Sequence, residues 1–340
     1  MTDILISEYF SGYTSYPIID VRSPGEFDKG HMVGAYNIPL FTNAQRAHVG
    51  TVYKQQGPDE AMDLGLKYVT PKLNWFVEQA SLVAPDQKAV VHCWRGGMRS
   101  HAFAKHLEEN GFRDVKVIEK GYKAYRNWVL NSFSVPVHLR VIGGYTGSGK
   151  TKILNCLRDE GCQVIDLEGL ACHKGSVFGS IGEEKQPTVE QFENNLFDQW
   201  RGLDFNRPVF IEDESHNIGS VKIPMALYEK MRAATVYFLD ISKEERAWAL
   251  VGEYAGIEDD LLEKGILRIT KRLGGLVTKE ALEALKKKDY FTVAMRTLNY
   301  YDKAYWKGVQ KRSSHKIVYY KLDGCDPVRN ASFIRQYMEM

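Results

Sequence analysis

The sequence predicts an α/β protein built as two parallel-sheet units in tandem, the second continued by a basic, mainly helical region. Three observations carry that reading. Short apolar runs alternate with helix-like segments through the first third of the chain, the pattern of a mostly parallel sheet. The alternation breaks around 132–136 and restarts. A glycine-rich turn then stands between a predicted strand and a predicted helix at 144–151. The expected divisions are 1–134, 135–262 and 263–340.

The elements follow in order. Residues 17–22 read as a short buried strand. Ser23, Pro24 and Glu26 then form a helix start, with Ser23 as the cap, Pro24 in the first turn and Glu26 three residues after the cap. Residues 89–92 are another strand, followed by a glycine-containing loop and a helix over 100–110 closed by Gly111. Residues 115–118 make a further strand. The second unit opens with a strand at 139–142 and continues with strands at 163–166, 208–212 and 235–240. From about 243 to 308 the pattern is mainly helical with many exposed charges.

Of the 340 residues, 44% are hydrophobic and 26% charged, ordinary proportions for a globular chain. No apolar run approaches the ~18 residues that span a bilayer. The first residues lack the basic start and long apolar stretch of a signal peptide. No membrane partner is expected, and a cytoplasmic location is. The five cysteines, Cys93, Cys156, Cys162, Cys172 and Cys325, form no CxxC pair, which argues against a disulfide framework or a zinc knuckle. Formal charge is +2 but unevenly placed: residues 136–263 carry 13 basic against 22 acidic groups, and residues 264–321 carry 15 against 4. That second stretch is either a polyanion-binding surface or a solvated helical face paired with the acidic middle.

The run His92-Cys93-Trp94-Arg95-Gly96-Gly97-Met98-Arg99-Ser100 puts a cysteine at a strand end, before a short loop and a helix. Backbone N–H groups of such a loop and the helix N-terminus converge above the sulfur. Arg95 and Arg99 add positive charge. Together they favour a thiolate with an oxyanion beside it. Trp94, Arg95, Gly96, Gly97, Met98 and Arg99 are the candidate anion-binding residues. The other four cysteines lack this setting and read as structural.

Residues Gly144, Tyr145, Thr146, Gly147, Ser148, Gly149, Lys150 and Thr151 match GxxxxGK[ST], the phosphate-binding P-loop, in strand–turn–helix context. Lys150 reaches a terminal phosphate and Thr151 is placed for Mg²⁺. The run at 209–214 is similar to a Walker B strand, with Glu212 or Asp213 as the metal carboxylate; three acids together also suit a solvated strand end. Arg268, Lys271 and Arg272 are either a lid over phosphates or a solvated basic helix. A P-loop reports phosphate binding, not a reaction.

Residues 19–27, then Gly30-His31 and 34–40, resemble the opening of a rhodanese domain, and Cys93 falls where that family keeps its persulfide cysteine. Many rhodaneses have four residues between this cysteine and the Arg-Ser that starts the helix; here there are five, Trp94 to Met98, and a wider anion cradle is expected. Tyrosine-type phosphatases share this longer spacing, with Asp20 and Asp28 available as a general acid. The whole chain, to at least Thr278, resembles the tRNA 2-selenouridine synthase family. Beyond the two generic motifs the likeness rests on Arg46-Ala47-His48-Val49-Gly50-Thr51-Val52-Tyr53-Lys54, on Trp94, on His173-Lys174-Gly175-Ser176-Val177-Phe178-Gly179, and on Glu212-Asp213-Glu214-Ser215.

The resemblance implies a two-stage modification of the wobble uridine of certain tRNAs. The sulfur of 2-thiouridine is alkylated by geranyl diphosphate, and selenium from selenophosphate then replaces the geranylthio group. It implies a P-loop that holds the leaving diphosphate. It also implies a Cys93 loop that holds selenophosphate, with Cys93 as perselenide carrier or as an assistant to selenium delivery. No tightly bound cofactor is expected; Mg²⁺ is a candidate at Thr151 and Asp213. The basic stretch 264–321, with Tyr290, Phe291, Tyr300, Tyr301, Tyr305, Trp306, Tyr319 and Tyr320, is the expected tRNA surface. Without the resemblance, a sulfurtransferase fused to a small-molecule kinase, a nucleotide-switched binding module and a Cys-Arg loop phosphatase all stay open.

Overall fold

A computed structural model describes residues 1–338 apart from Val177, Ser180, Lys311, Ser313, Ser314 and His315. Those exceptions fall within the 173–179 segment, just after it, and within the basic stretch 264–321. The chain divides into two compact units, Met1–Ser132 with Glu193–Asp198, and Phe133–Phe192 with Gln199–Met340.

The first unit holds five strands, β1 (Thr2–Ile4), β2 (Ile18–Asp20), β3 (Tyr36–Asn37), β4 (Lys88–His92) and β5 (Asp114–Ile118). They lie parallel in the order β1-β5-β4-β2-β3. The central strand β4 is buried from Ala89 to His92, which is why its apolar residues run on without alternation. The helix Pro24–Lys29 starts as its sequence dictates, with the Ser23 N–H donating to the Glu26 carboxylate at 3.1 Å. The helix Met98–Glu109 begins two residues before the expected start, because Gly97 ends the loop. Between β3 and β4 stand three α-helices that the sequence reading left undescribed, Asn43–Gln55, Pro58–Val69 and Leu73–Val83. The first is capped by the Thr42 hydroxyl, which accepts the Gln45 N–H at 3.2 Å.

The second unit holds β6 (Leu139–Gly144), β7 (Gln163–Ile165), β8 (Val209–Glu212), β9 (Asn217–Ile218), β10 (Val221–Lys222), β11 (Val236–Ile241) and β12 (Ile317–Leu322). Five of them form a parallel sheet in the order β12-β11-β6-β8-β7, and β9 and β10 make a small antiparallel pair. The final stretch is mainly helical, as expected, but it also returns to the sheet: β12 pairs with β11 along its whole length, from Val236↔Ile317 to Ile241↔Leu322. The helix Pro327–Met338 then buries Ala331 and Ile334 against Ile153, Leu154 and Leu157. An edge strand with Tyr319 51% exposed shows little of the apolar character that marks the buried strands. A separate helical core, with Leu250, Leu262, Ile266, Leu285 and Leu298, forms over 247–298.

Candidate active site in each unit

In the first unit Cys93 follows β4 and is almost fully buried. Its Sγ lies 3.3 Å from the Ser100 Oγ, on the first turn of the helix Met98–Glu109. Burial alone would push the thiol pKa up. The Ser100 hydroxyl, the Arg99 guanidinium and the backbone N–H groups of Gly97 and Arg95 outweigh it, so the thiol sits below its ordinary range. The surroundings of the sulfur therefore favour its ionisation. Arg99 also donates to the Glu26 carboxylate at 3.2 Å, and Arg46 approaches the same carboxylate at 3.6 Å.

Gly96 shows why the loop needs a residue without Cβ. Its φ is +58°, and a Cβ there would meet the Ile118 carbonyl at 2.4 Å. Cys93, Trp94, Arg95, Gly97, Met98 and Arg99 line a cavity of about 1260 Å³; Gly96 turns away from it. The wall facing the loop comes from the two helices Asn43–Gln55 and Pro58–Val69, through Tyr53, Met62 and Leu66 among others. Neither aspartate offered for phosphatase chemistry fits. Asp20 is wholly buried and takes Arg22 in a bidentate grip, with Nη2 to Oδ2 at 2.6 Å. Burial opposes its charge, but His92 and Arg22 pull its pKa below the ordinary value, so it holds no proton to give. Asp28 is exposed and does not line the cavity.

In the second unit the strand β6 runs into the P-loop and the helix Lys150–Asp159. Lys150 Nζ donates to the Gly144 carbonyl at 3.1 Å. A cavity of about 1420 Å³ is lined by 146–151 and by Glu168, Glu214, Arg268, Arg272 and Tyr305. Of the three lid candidates, Arg268 and Arg272 face this cavity and Lys271 does not. Arg272 donates to the Tyr300 hydroxyl at 2.6 Å. The segment His173–Gly179 also borders the cavity through its described residues. Gly175 has φ +63°, and a Cβ there would lie 2.5 Å from a Glu168 oxygen and 3.0 Å from a Glu214 oxygen.

The Walker B candidates have partners within the protein. Arg312 Nη2 donates to Asp213 Oδ1 at 2.5 Å and the Tyr305 hydroxyl to its Oδ2 at 2.9 Å. Glu212 is fully buried, accepts the Glu168 N–H at 2.7 Å, and burial pushes its pKa well above the ordinary carboxylate value. Thr151 gives its hydroxyl to Glu168 at 2.8 Å. This donor set does not fit Mg²⁺ held by Thr151 and Asp213, and no group of three or more metal-ligating side chains occurs among the described residues. Glu168 and Arg312 are groups that sequence reasoning missed. Glu214 stood in the acidic run, and Tyr305, expected on the tRNA surface, instead donates to Asp213 from the helix Tyr290–Val309. Arg246, 2% exposed, was also missed. It donates to the Thr146 carbonyl at 3.0 Å and bidentately to Asp302 at 2.9 Å, bracing the P-loop from behind.

A thiolate loop on one parallel sheet and a phosphate loop on another define the class: a rhodanese-like domain followed by a P-loop domain. A rhodanese-like family model matches residues 9–127, and the model described as the tRNA 2-selenouridine synthase AAA domain matches residues 137–325. The chain is 36% identical over 293 residues to a tRNA 2-selenouridine synthase of Shewanella denitrificans, covering 79% of this chain and 78% of that one. It is 33% identical over 353 residues to one from Bdellovibrio bacteriovorus, covering 90% and 91%. The chain belongs to the tRNA 2-selenouridine synthase family.

Two predictions follow the electrostatics. Alkylation of Cys93 by iodoacetamide, read by peptide mass spectrometry against pH, has its midpoint below that of a free cysteine, and Ser100→Ala moves it upward; an unmoved midpoint contradicts the role given to that hydroxyl. Glu214 is pushed up to about 8, first by burial and then by the charge of Glu168, with Lys150 opposing. The folded state thus keeps a proton that an unfolded glutamate releases above about 4.3. Stability is lost from there up to about pH 8 and then levels off. The Tm advantage of Glu214→Gln over the parent grows by about 2–4 °C between pH 5 and pH 8; a difference independent of pH refutes the shift.

Proposed function

We propose that the chain is a tRNA-modifying transferase acting on 2-thiouridine at the wobble position. In a first stage the sulfur attacks geranyl diphosphate, forming the S-geranyl thioether and releasing diphosphate. In a second stage selenium from selenophosphate replaces the geranylthio group. The C2–Se bond forms, the C2–S bond breaks with its electron pair on sulfur, and the protonated geranylthiol leaves; hydrolysis of the Se–P bond then releases phosphate, with no net oxidation or reduction.

The observation that carries this reading is a P-loop whose metal carboxylate is already taken. A nucleotide-hydrolysing loop needs that oxygen for its ion. With Asp213 held by Arg312 and Tyr305, the positive groups that border the cavity at the loop include Lys150, Lys152, Lys174, Arg232, Arg268 and Arg272. Fixed cations and backbone dipoles suit charge building on a leaving diphosphate. The lowered thiol of Cys93, beside Arg95 and Arg99, suits cradling selenophosphate while the thiolate assists selenium delivery. The other readings lack such support: a kinase would want the metal, and the phosphatase lacks an acid in Asp20 or Asp28.

The basic stretch has its partner in tRNA. Some of its charge is internal, since Arg312 is buried on Asp213 and Arg296 pairs with Glu280 at 3.0 Å. Lys286, Lys287, Lys288, Lys303 and Lys307 are exposed and available to phosphates.

Cys93→Ala stops selenation and leaves geranylation intact, whereas Lys150→Ala cuts the geranyl step by at least about 100-fold. Nucleoside mass spectrometry of 2-thiouridine tRNA incubated with both donors checks this, and normal selenouridine from the first variant or undiminished S-geranyl product from the second refutes the assignment. The affinity for tRNA falls with salt with a log–log slope of magnitude about 3 or more; a slope near zero removes the RNA surface.

A further inference from the structure

The helical core of the second unit leaves one large aromatic side chain in the open. Trp248 lies on the helix Lys243–Tyr254 and is 60% exposed, although an indole gains much from burial. It is not loose: the ring of Phe291 packs against it, with centroids 4.4 Å apart at 31°. The indole is thus held by the protein and still largely open. Phe291 stands in the first turn of the helix Tyr290–Val309, three residues after Lys288. Lys286, Lys287 and Lys288 close the preceding helix Gly275–Lys286 and lead into that turn, and all three are exposed.

The lysine turn is rigid. The Lys287 N–H donates to the Ala284 carbonyl at 3.0 Å, Lys288 to Leu285 at 2.8 Å and Asp289 to Ala284 at 3.0 Å. Lys288 takes φ +55°, a left-handed conformation for which glycine is the usual residue. A lysine kept there against its backbone preference points to a use for its side chain. The acids around the turn are already engaged. Asp289 caps the helix, accepting the Thr292 N–H at 3.0 Å and the Thr292 hydroxyl at 2.7 Å. Glu280 pairs with Arg296 at 3.0 Å and Glu283 with Lys279 at 3.9 Å. Glu244, four residues before Trp248 and so its neighbour on the helix surface, is exposed. At the indole itself, therefore, binding comes from the ring, and the positive charge comes from the turn.

Trp248 also has a fixed relation to the phosphate loop. Arg246 donates to the Thr146 carbonyl at 3.0 Å, and a Cβ on Gly147 would lie 3.2 Å from Leu250. Trp248 falls midway between these two residues, about 200° around the helix from each. It stands on the far side of the same helix, about one helix diameter, ~10 Å, from the loop, a distance that a strand covers in a few nucleotides.

We propose that Trp248 is a stacking platform for an unpaired base of the tRNA, with Lys286, Lys287 and Lys288 taking the phosphates beside that base. An aromatic face accepts any base, and cations along the adjoining turn hold the backbone, which is how single-stranded nucleic acid is bound. An apolar protein partner would leave three ammonium groups unmatched. The proposal rests on the reading of the chain as a tRNA-modifying enzyme, and it carries the RNA surface to a residue outside the basic stretch.

The test is binding of labelled RNA to the full-length protein, followed by fluorescence anisotropy. The probes are a stem–loop carrying 2-thiouridine in its loop and a perfectly paired RNA duplex of equal length. Trp248→Ala should weaken binding of the stem–loop by about 10-fold and leave the duplex unchanged, with Trp248→Phe keeping most of the affinity. The combined variant Lys286→Gln, Lys287→Gln, Lys288→Gln should lower the magnitude of the log–log salt slope by about 2. All four positions are exposed, and melting curves verify folding. Unchanged affinity of Trp248→Ala for the stem–loop, an equal loss on the duplex, or an unchanged salt slope in the lysine variant overturns the proposal. If the parent protein binds neither RNA, the functional reading itself falls; where it binds, the variants alone decide the platform.

Discussion

A desolvated arginine gripped by an aspartate stands behind the anion loop of each unit. In the first, Arg22 is wholly buried. It binds Asp20 through two nitrogens, donates to the Gly30 carbonyl at 2.7 Å, and lies 3.7 Å over the ring of Tyr122. Tyr122 in turn donates its N–H to the Cys93 carbonyl. In the second, Arg246 binds Asp302 and the Thr146 carbonyl. A buried pair of this kind adds little net stability, but losing one partner costs about 3–5 kcal/mol because a bare charge stays behind. The backbone around each loop is therefore set by an interaction that tolerates neither rearrangement nor water, which is what a cradle for anions requires.

The second unit uses the same device once more, with a functional consequence. Arg312 reaches Asp213 from the end of the chain's basic stretch and also donates to the Met231 carbonyl at 2.8 Å. The charge asymmetry of the sequence is thus partly a structural requirement: a cation from the basic third neutralises the acidic strand end that would otherwise attract a metal. Tyr305 completes the arrangement, accepting the Gly144 N–H at 3.1 Å while donating to Asp213. The cavity at the phosphate loop is bordered by Lys150, by Arg268 and Arg272 among other cations, and by the carboxyl groups of Glu168 and Glu214 among other acids. Glu214 is kept neutral near pH 7 because neither burial nor Glu168 tolerates a second charge.

The legible parts of this molecule were those governed by local rules. Buried parallel strands announce themselves as unbroken apolar runs, so β2, β4, β5, β6, β7, β8 and β11 could be read to within a residue or two. The capped start at Ser23 and both glycine loops are also short-range chemistry. The parts that escaped are long-range. β12 looks like a basic, aromatic helix end because its one partner strand, β11, lies 81 residues earlier in register, Tyr319 opposite Phe238 and Tyr320 opposite Leu239. Asp213 looks like a metal ligand until Arg312 and Tyr305, about ninety residues on, are folded against it. The cavity over Cys93 was invisible for another reason. Its wall is two ordinary amphipathic helices, and no periodicity distinguishes an apolar face that packs from one that stays open.

That open face bears on the thiolate itself. Apolar walls withdraw solvation, and burial is the largest influence on Cys93, acting against its ionisation. What favours ionisation instead comes from groups fixed in the protein, the Ser100 hydroxyl, Arg99 and the N–H groups of the loop, none of which needs solvent. A sulfur nucleophile supported by water would lose that support whenever a hydrophobic group entered the cavity. One supported by preset dipoles becomes better isolated, since every electrostatic contact strengthens as water leaves. The apolar cavity and the polar loop are thus compatible because the groups that favour the thiolate belong to the loop and helix start that carry the sulfur, while the two helices opposite supply the apolar wall.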